Sequence, residues 1–266
     1  MHPFEDLEVA KGCLGIHWFG QSSFALKNAA GTIVQLDPYF PRERPADRFI
    51  HPRPPLHEAS LRTHCVLLTH SHGDHTCVES ITRIRAAFPD TVFIGPPESI
   101  QKIQTAGIPA DRSRAITAGE TQEAGGMKVY AVWAKPPAGI PEDDIAAPDV
   151  QHLGYVIDTR PVRVYVSGDL VRTFAEHERL VAPVRALRPE LGLLTTHPTE
   201  GEFPFFEGAA KLAQRIGLAV AVPSHYHCFV RRTYDPAEFA AQLRDVEPLI
   251  IPYNQSVVYA TRRAAA

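Results

Sequence analysis

Apolar residues along the chain fall into short runs, most with the length and side chains of strands. Gly15 to Phe19, Thr32 to Leu36, Cys65 to Thr69, Val92 to Gly95, Met127 to Trp133, Leu153 to Asp158, Val162 to Val166, Leu191 to Thr195 and Leu218 to Val222 are largely β-branched, aliphatic or aromatic. A helical spacing appears between some of them. Val78, Ile81, Ile84 and Phe88 recur at three- and four-residue intervals before Pro89, and Ala209, Leu212, Ala213 and Ile216 do so before Gly217. A third helix is expected from Asp235-Pro236 through Phe239 and Leu243. Strands and helices mix throughout, and a connection as short as Thr159-Arg160-Pro161 permits only antiparallel pairing. The pattern predicts an α/β layered protein with several hairpins.

Two stretches break the pattern. Arg42 to Pro55 (RERPADRFIHPRPP) and Ala134 to Asp149 (AKPPAGIPEDDIAAPD) are rich in proline and charge, as functional or mobile loops are. No Ser/Gly-rich linker divides the 266 residues, so one domain over 1–266 is expected. A net charge of −3 offers no broad attraction to nucleic acid or to an anionic membrane, and neither is expected as a partner. The acidic start MHPFEDLEVAKG has no signal-peptide character, and no apolar run reaches spanning length; a cytoplasmic protein is the expectation. Cys13, Cys65, Cys77 and Cys228 are scattered without a Cys-x-x-Cys pair and read as free thiols, with a ligand role left open for Cys77 and Cys228.

The chemistry concentrates in LLTHSHGDHT, residues 67–76. In an extended exit from a strand, residues two apart point the same way, so His70 and His72 can converge on one point. Gly73 allows a sharp turn, after which Asp74 and His75 enter a helix starting near Thr76 and face another direction. Two adjacent metal positions follow, in a donor set that suits zinc, manganese or iron.

His-x-His-x-Asp-His at a strand-to-helix turn resembles the metallo-β-lactamase superfamily. The likeness extends through WFGQSSFAL, VQLDPYF, HLGYVIDTRPVRVYVSGDL and AVPSHYHCF. LDPYF, FIGPPESIQKIQTAGIPADR and VPSHYHCFVRRTYDPAEF are similar to the branch that contains L-ascorbate-6-phosphate lactonase. The resemblance implies an αββα four-layer sandwich with a dinuclear site between its sheets. By it, His70 and His72 hold the first metal, Asp74, His75 and His225 the second, and Asp169 bridges them. His152 is either the third ligand of the first metal or a packed strand-end histidine. Asp37 either supports the site by hydrogen bonding or only ends a strand in an Asp-Pro turn.

His225 and His227 share the two-residue spacing, so both could point inward; the resemblance favours His225 as ligand, which leaves His227 as a substrate-side group, a support to the ligands or a solvent-exposed side chain. His197 lies where such proteins place substrate contacts. Arg42, Arg44, Arg48 and Arg53 concentrate positive charge in one loop, and Arg53 is the expected contact for a phosphorylated or carboxylated small molecule. Leu170 stands where the bridging-aspartate motif often carries a hydroxyl residue.

The implied activity is hydrolysis of a lactone or ester by a metal-bridging hydroxide, with Asp74, Asp169 and His225 as the catalytic set and two divalent ions, manganese or zinc before iron, as cofactors. Three alternatives stand beside it: a phosphodiesterase or nuclease of the same fold, a non-catalytic metal-binding member, and a diiron oxygen reductase. The last is disfavoured because His72 stands where those proteins typically carry glutamate. A homo-oligomer is compatible with the resemblance.

Overall fold

Alternation along each strand sends successive side chains to opposite faces, and here both faces are covered. The computed structural model describes residues 1–143, 145–160 and 162–262; Pro161, in the short turn read from the sequence, lies outside them. The N-terminal half runs α1 (Pro3–Asp6), β1 (Cys13–Trp18), β2 (Phe24–Lys27), β3 (Ile33–Leu36), β4 (Cys65–Leu67), α2 (Val78–Ala87), β5 (Val92–Gly95), α3 (Pro97–Thr105) and β6 (Ser113–Ala115). The second half runs β7 (Thr121–Ala124), β8 (Met127–Lys135), β9 (His152–Asp158), β10 (Arg163–Val166), α4 (Glu178–Ala186), β11 (Leu191–Thr195), α5 (Phe206–Ile216), β12 (Val220–Ser224), α6 (Pro236–Ala240), β13 (Glu247–Pro248) and β14 (Gln255–Ala260).

Two seven-stranded sheets result, ordered β14-β1-β2-β3-β4-β5-β6 and β13-β12-β11-β10-β9-β8-β7. Leu14, Ile16 and Trp18 of β1, with Cys65 and Leu67 of β4, meet Leu153, Tyr155 and Ile157 of β9 and Leu191 and Leu193 of β11 between the sheets. On the outer face of the first sheet, Val66 and Phe93 pack under Ile81 and Ile84 of α2 and Ile100 and Ile103 of α3. Outside the second, Val156, Tyr165 and Leu194 pack under Leu180 and Val184 of α4 and Leu212 and Ile216 of α5. This is the four-layer αββα sandwich. Strands covered on both faces explain why the sequence reads as unbroken apolar runs rather than strict alternation.

The antiparallel pairing of β9 with β10 agrees with the short connection seen in the sequence. Elsewhere the structure corrects the reading. The strand begun at Cys65 ends at Leu67, and α2 begins at Val78 rather than near Thr76. Residues 68–77 are instead an irregular connection, closed by the amides of His75 and Thr76 on the His72 carbonyl at 3.1 and 2.8 Å. Helices α3 and α4 are not predicted by the apolar spacing; α4 carries Pro183 in its interior, which interrupts a helical pattern. No helix among the described residues is long and apolar enough to cross a membrane.

β3, β4 and β5 are parallel, as are β10, β11 and β12. Their carboxyl ends, where open α/β sheets gather ligands, carry Asp37, the histidine-rich connection, Asp169 and His225. Hydrogen bonds tie the sheets together there, among them Leu153 N to the Thr69 carbonyl at 2.9 Å, the Tyr155 hydroxyl to the Leu68 carbonyl at 2.6 Å and Gln21 N to the Tyr226 carbonyl at 2.9 Å.

Candidate metal centre

The connection after β4 leaves the strand, turns at Gly73 and presents its ligand-type side chains in two directions. Donor atoms of His70, His72 and His152 lie within 4.8 Å of one another, and so do those of Asp74, His75 and His225. Asp169, at the end of β10, lies between the groups: its Oδ2 is 3.9 Å from His70 Nε2 and 3.6 Å from both His75 Nε2 and His225 Nε2. The structure thus brings together all seven residues that the resemblance proposed as ligands. His152 opens β9 and is buried in this cluster, stacked on His70 with ring centroids 4.1 Å apart.

Several atoms of the cluster are suited to an ion. His70 Nε2, His75 Nε2, both His152 nitrogens and Asp169 Oδ1 are buried without a hydrogen-bond partner among the described residues, whereas buried polar atoms are normally paired. The protonation states match the ligand forms. Burial, with His75 and His152 nearby, holds His70 well below the usual imidazole range, and burial with Lys135 brings His152 down to about 3, so both are neutral. Burial opposes ionisation of Asp169, yet His75, His225, His152 and Lys135 outweigh it and hold the carboxyl at about 2. His75 is the exception: burial disfavours its charge, but Asp169, Asp74 and Asp37 together push it up to about 10. Carboxylates kept ionised among neutral imidazoles are what a divalent cation requires.

Asp37 hydrogen-bonds into the cluster rather than serving only as a turn residue. Its Oδ1 accepts from Thr69 N at 2.8 Å, and its Oδ2 accepts from the Thr69 hydroxyl at 2.6 Å and faces His75 Nδ1 at 2.8 Å. Orienting the far nitrogen of a ligand imidazole in this way fixes its tautomer and direction. His70 Nδ1 is held similarly, 3.0 Å from the Thr69 hydroxyl.

A cavity of about 740 Å³ opens over the cluster, lined by His72, Asp74, Asp169 and His225 and by Tyr39, Arg48, Lys135, Glu202, Phe203, Arg231 and Arg232. Arg53 is exposed and does not line it. Within the same loop, Arg42 pairs with buried Glu58 at 2.7 Å, and Arg44 donates to the His51 carbonyl at 2.8 Å. Only Arg48 of the four reaches the cavity. His227 does not line it either: the strand stops at Ser224, and His225 and His227 have φ of 72° and 61°, so the alternation assumed for a two-residue spacing fails. His227 turns away to His51, with ring nitrogens 3.2 Å apart, and to Tyr253. His197 also lies outside the lining; its Nδ1 accepts from the Thr199 and Glu200 amides, steadying the loop that delivers Glu202 and Phe203. Cys77 and Cys228 are free, buried thiols in an apolar cluster with Tyr39 and Phe49 and join no ligand group among the described residues.

Sequence reasoning missed Gln21, whose Nε2 donates to Asp74 Oδ2 at 2.8 Å and lies 2.8 Å from His225 Nε2. It also missed Lys135, paired with Glu202 at 2.6 Å, and Asp149, whose Oδ2 lies 2.8 Å from His72 Nε2. The signal for Gln21 was its place in the opening hairpin; for Asp149, it was an acidic residue three positions before His152 in a loop read as functional or mobile.

Comparison with known proteins places this geometry in context. The profile described as Beta-lactamase superfamily domain matches residues 32–226. A UPF0173 metal-dependent hydrolase of Methanopyrus kandleri is 28% identical over 249 residues, covering 91% of this chain and 98% of its own. Among solved structures, Igni18, a metallo hydrolase from Ignicoccus hospitalis, superposes with a TM-score of 0.70 at 20% identity over 93% of this chain and 98% of its own. An isothiocyanate hydrolase from Delia radicum gut bacteria gives 0.69 at 16% identity over 93% of this chain and 99% of its own. At these identities the two structures speak to the fold alone.

Proposed function

From the premise that the chain belongs to the Beta-lactamase superfamily domain family, we propose that it is a dinuclear metal-dependent hydrolase of a small anionic lactone or ester. The observation that carries this reading is the position of Asp169 between two abutting ligand groups, in which His70 Nε2, His75 Nε2 and both His152 nitrogens are buried without a partner among the described residues. His70, His72 and His152 would hold one ion and Asp74, His75 and His225 the other. Bound there, manganese or zinc would lower the pKa of water toward neutrality and polarise an acyl oxygen.

The chain's own residues supply the rest. Gln21 fixes Asp74 beside His225, and Asp74 is placed to accept a proton from the attacking water. Arg48, Arg231 and Arg232 line the cavity and form no ion pair among the described residues, while Lys135 across it is offset by Glu202. Guanidinium groups without carboxylate partners suit a substrate carboxylate or phosphate, the role first assigned to Arg53. Tyr39 lines the same wall, and burial raises its pKa, keeping a neutral hydroxyl available as a donor.

The test is a panel of lactones and carboxylic esters, with and without an anionic group, beside phosphodiesters and an isothiocyanate, assayed with manganese or zinc. Anionic esters or lactones should turn over best, and Arg232→Ala should raise KM for them by about 10-fold or more, the scale of a charged hydrogen bond, while leaving neutral esters alike. Turnover restricted to phosphodiesters would support the phosphodiesterase alternative. Asp169→Ala should lose metal and activity together; full turnover in that variant would contradict the assignment.

A further inference from the structure

The two ligand groups are anchored unequally. In the second, His75 is held through Nδ1 by Asp37, and the two side chains are 0% and 1% exposed. In the first, His70 and His152 are buried, but His72 is 38% exposed, and its Nε2 lies 2.8 Å from Oδ2 of Asp149, which is 68% exposed. Asp149 belongs to the connection between β8 and β9, and its Oδ1 is 3.9 Å from His152 Nε2.

We propose that Asp149 is the positioning carboxylate of the first metal position, and that this position holds its ion more weakly than the second. The inference rests on the paired-metal reading above. A ring nitrogen that donates to a carboxylate cannot also bind a metal, so Asp149 fixes the tautomer with hydrogen on Nε2 and leaves Nδ1 of His72 as the ligand atom. His70 and His75 show the same division of labour, with one nitrogen engaged by the protein and the other buried without a partner. The difference lies in the setting. The Asp37–His75 pair is sealed from water, whereas the Asp149–His72 pair is screened by solvent and salt and sits on a connection rather than a strand end.

The experiment is calorimetric titration of the full metal-free chain with zinc in the presence of a competing chelator, for the unaltered protein, Asp149→Ala and Asp149→Asn, with circular dichroism to check each fold. The unaltered protein should take up two equivalents in two resolved steps. Asp149→Ala should weaken the weaker step by about 10-fold and leave the tighter one unchanged. Asp149→Asn, whose amide oxygen can still accept from Nε2–H, should recover part of the loss. Raising ionic strength should weaken that step more in the unaltered protein than in Asp149→Ala.

Two unchanged steps in Asp149→Ala would overturn the proposal. So would a loss confined to the tighter step. A tighter weak step in Asp149→Ala would also overturn it, because the carboxylate would then be competing with the ion for His72 Nε2. Uptake of fewer than two equivalents by the unaltered protein would instead overturn the paired-metal reading itself.

Discussion

At the scale of single residues, the site depends on side chains that hold ligands as much as on the ligands. Asp37 accepts three hydrogen bonds in a fully buried position, two from Thr69 and one from His75. Asp37→Asn keeps the shape but turns an acceptor facing His75 Nδ1 into a donor or a neutral oxygen. Metal affinity at the second position should fall about 10–100-fold, as chelator competition would measure; unchanged affinity would mean that His75 needs no orienting partner. The candidate ligands were legible because four ligand-type residues in one hexad have little other reason to sit together at a strand's end. Gln21 was not, since an amide carries no metal signature and its φ of 53° cannot be read from a sequence. The inward aim assigned to His227 failed for the same reason: a left-handed residue on either side of Tyr226 cancels strand periodicity.

At the scale of elements, ligands are delivered by the ways strands end. Gly168 follows β10 with φ of 58°, and a Cβ there would stand 2.5 Å from the Leu153 carbonyl and 3.2 Å from Thr69 Cβ. Backbone must therefore shift in Gly168→Ala, at a cost of about 1–3 kcal/mol. Because the shift moves the residue before Asp169, metal content should drop with stability; urea unfolding and elemental analysis check both, and a variant matching the unaltered protein in both would contradict this account. The proline-rich loop 42–55 is held by Glu58, buried between Arg42 at 2.7 Å and Arg83 at 2.8 Å. That anchoring explains why its arginines were hard to sort from sequence: charge density located the loop, but only packing shows which arginine is structural and which faces the cavity. Strands are easier to read than α4, because strands covered on both faces leave unbroken apolar runs, while Pro183 interrupts the helical pattern of α4.

At the scale of the whole molecule, two sheets pack face to face, and buried groups that titrate within and around them couple folding to pH. His17, remote from the metal cluster between Ser256 and Asn254, is brought down to about 4, mainly by burial. A histidine whose folded pKa lies below the ordinary 6.5 takes up its proton more readily when unfolded. Its contribution to stability is therefore complete above pH 6.5 and is lost as pH falls toward about 4. The urea midpoint of the metal-free protein should decline over that window, and His17→Gln should make the decline shallower; a slope unchanged by the substitution would show that His17 is not among its causes. The proposed function requires that one chain hold two metal ions on either side of Asp169. Elemental analysis after saturation with zinc or manganese and equilibrium dialysis should return about two ions per chain, falling in Asp169→Ala. One ion or none at saturation in the unaltered protein would contradict the paired site.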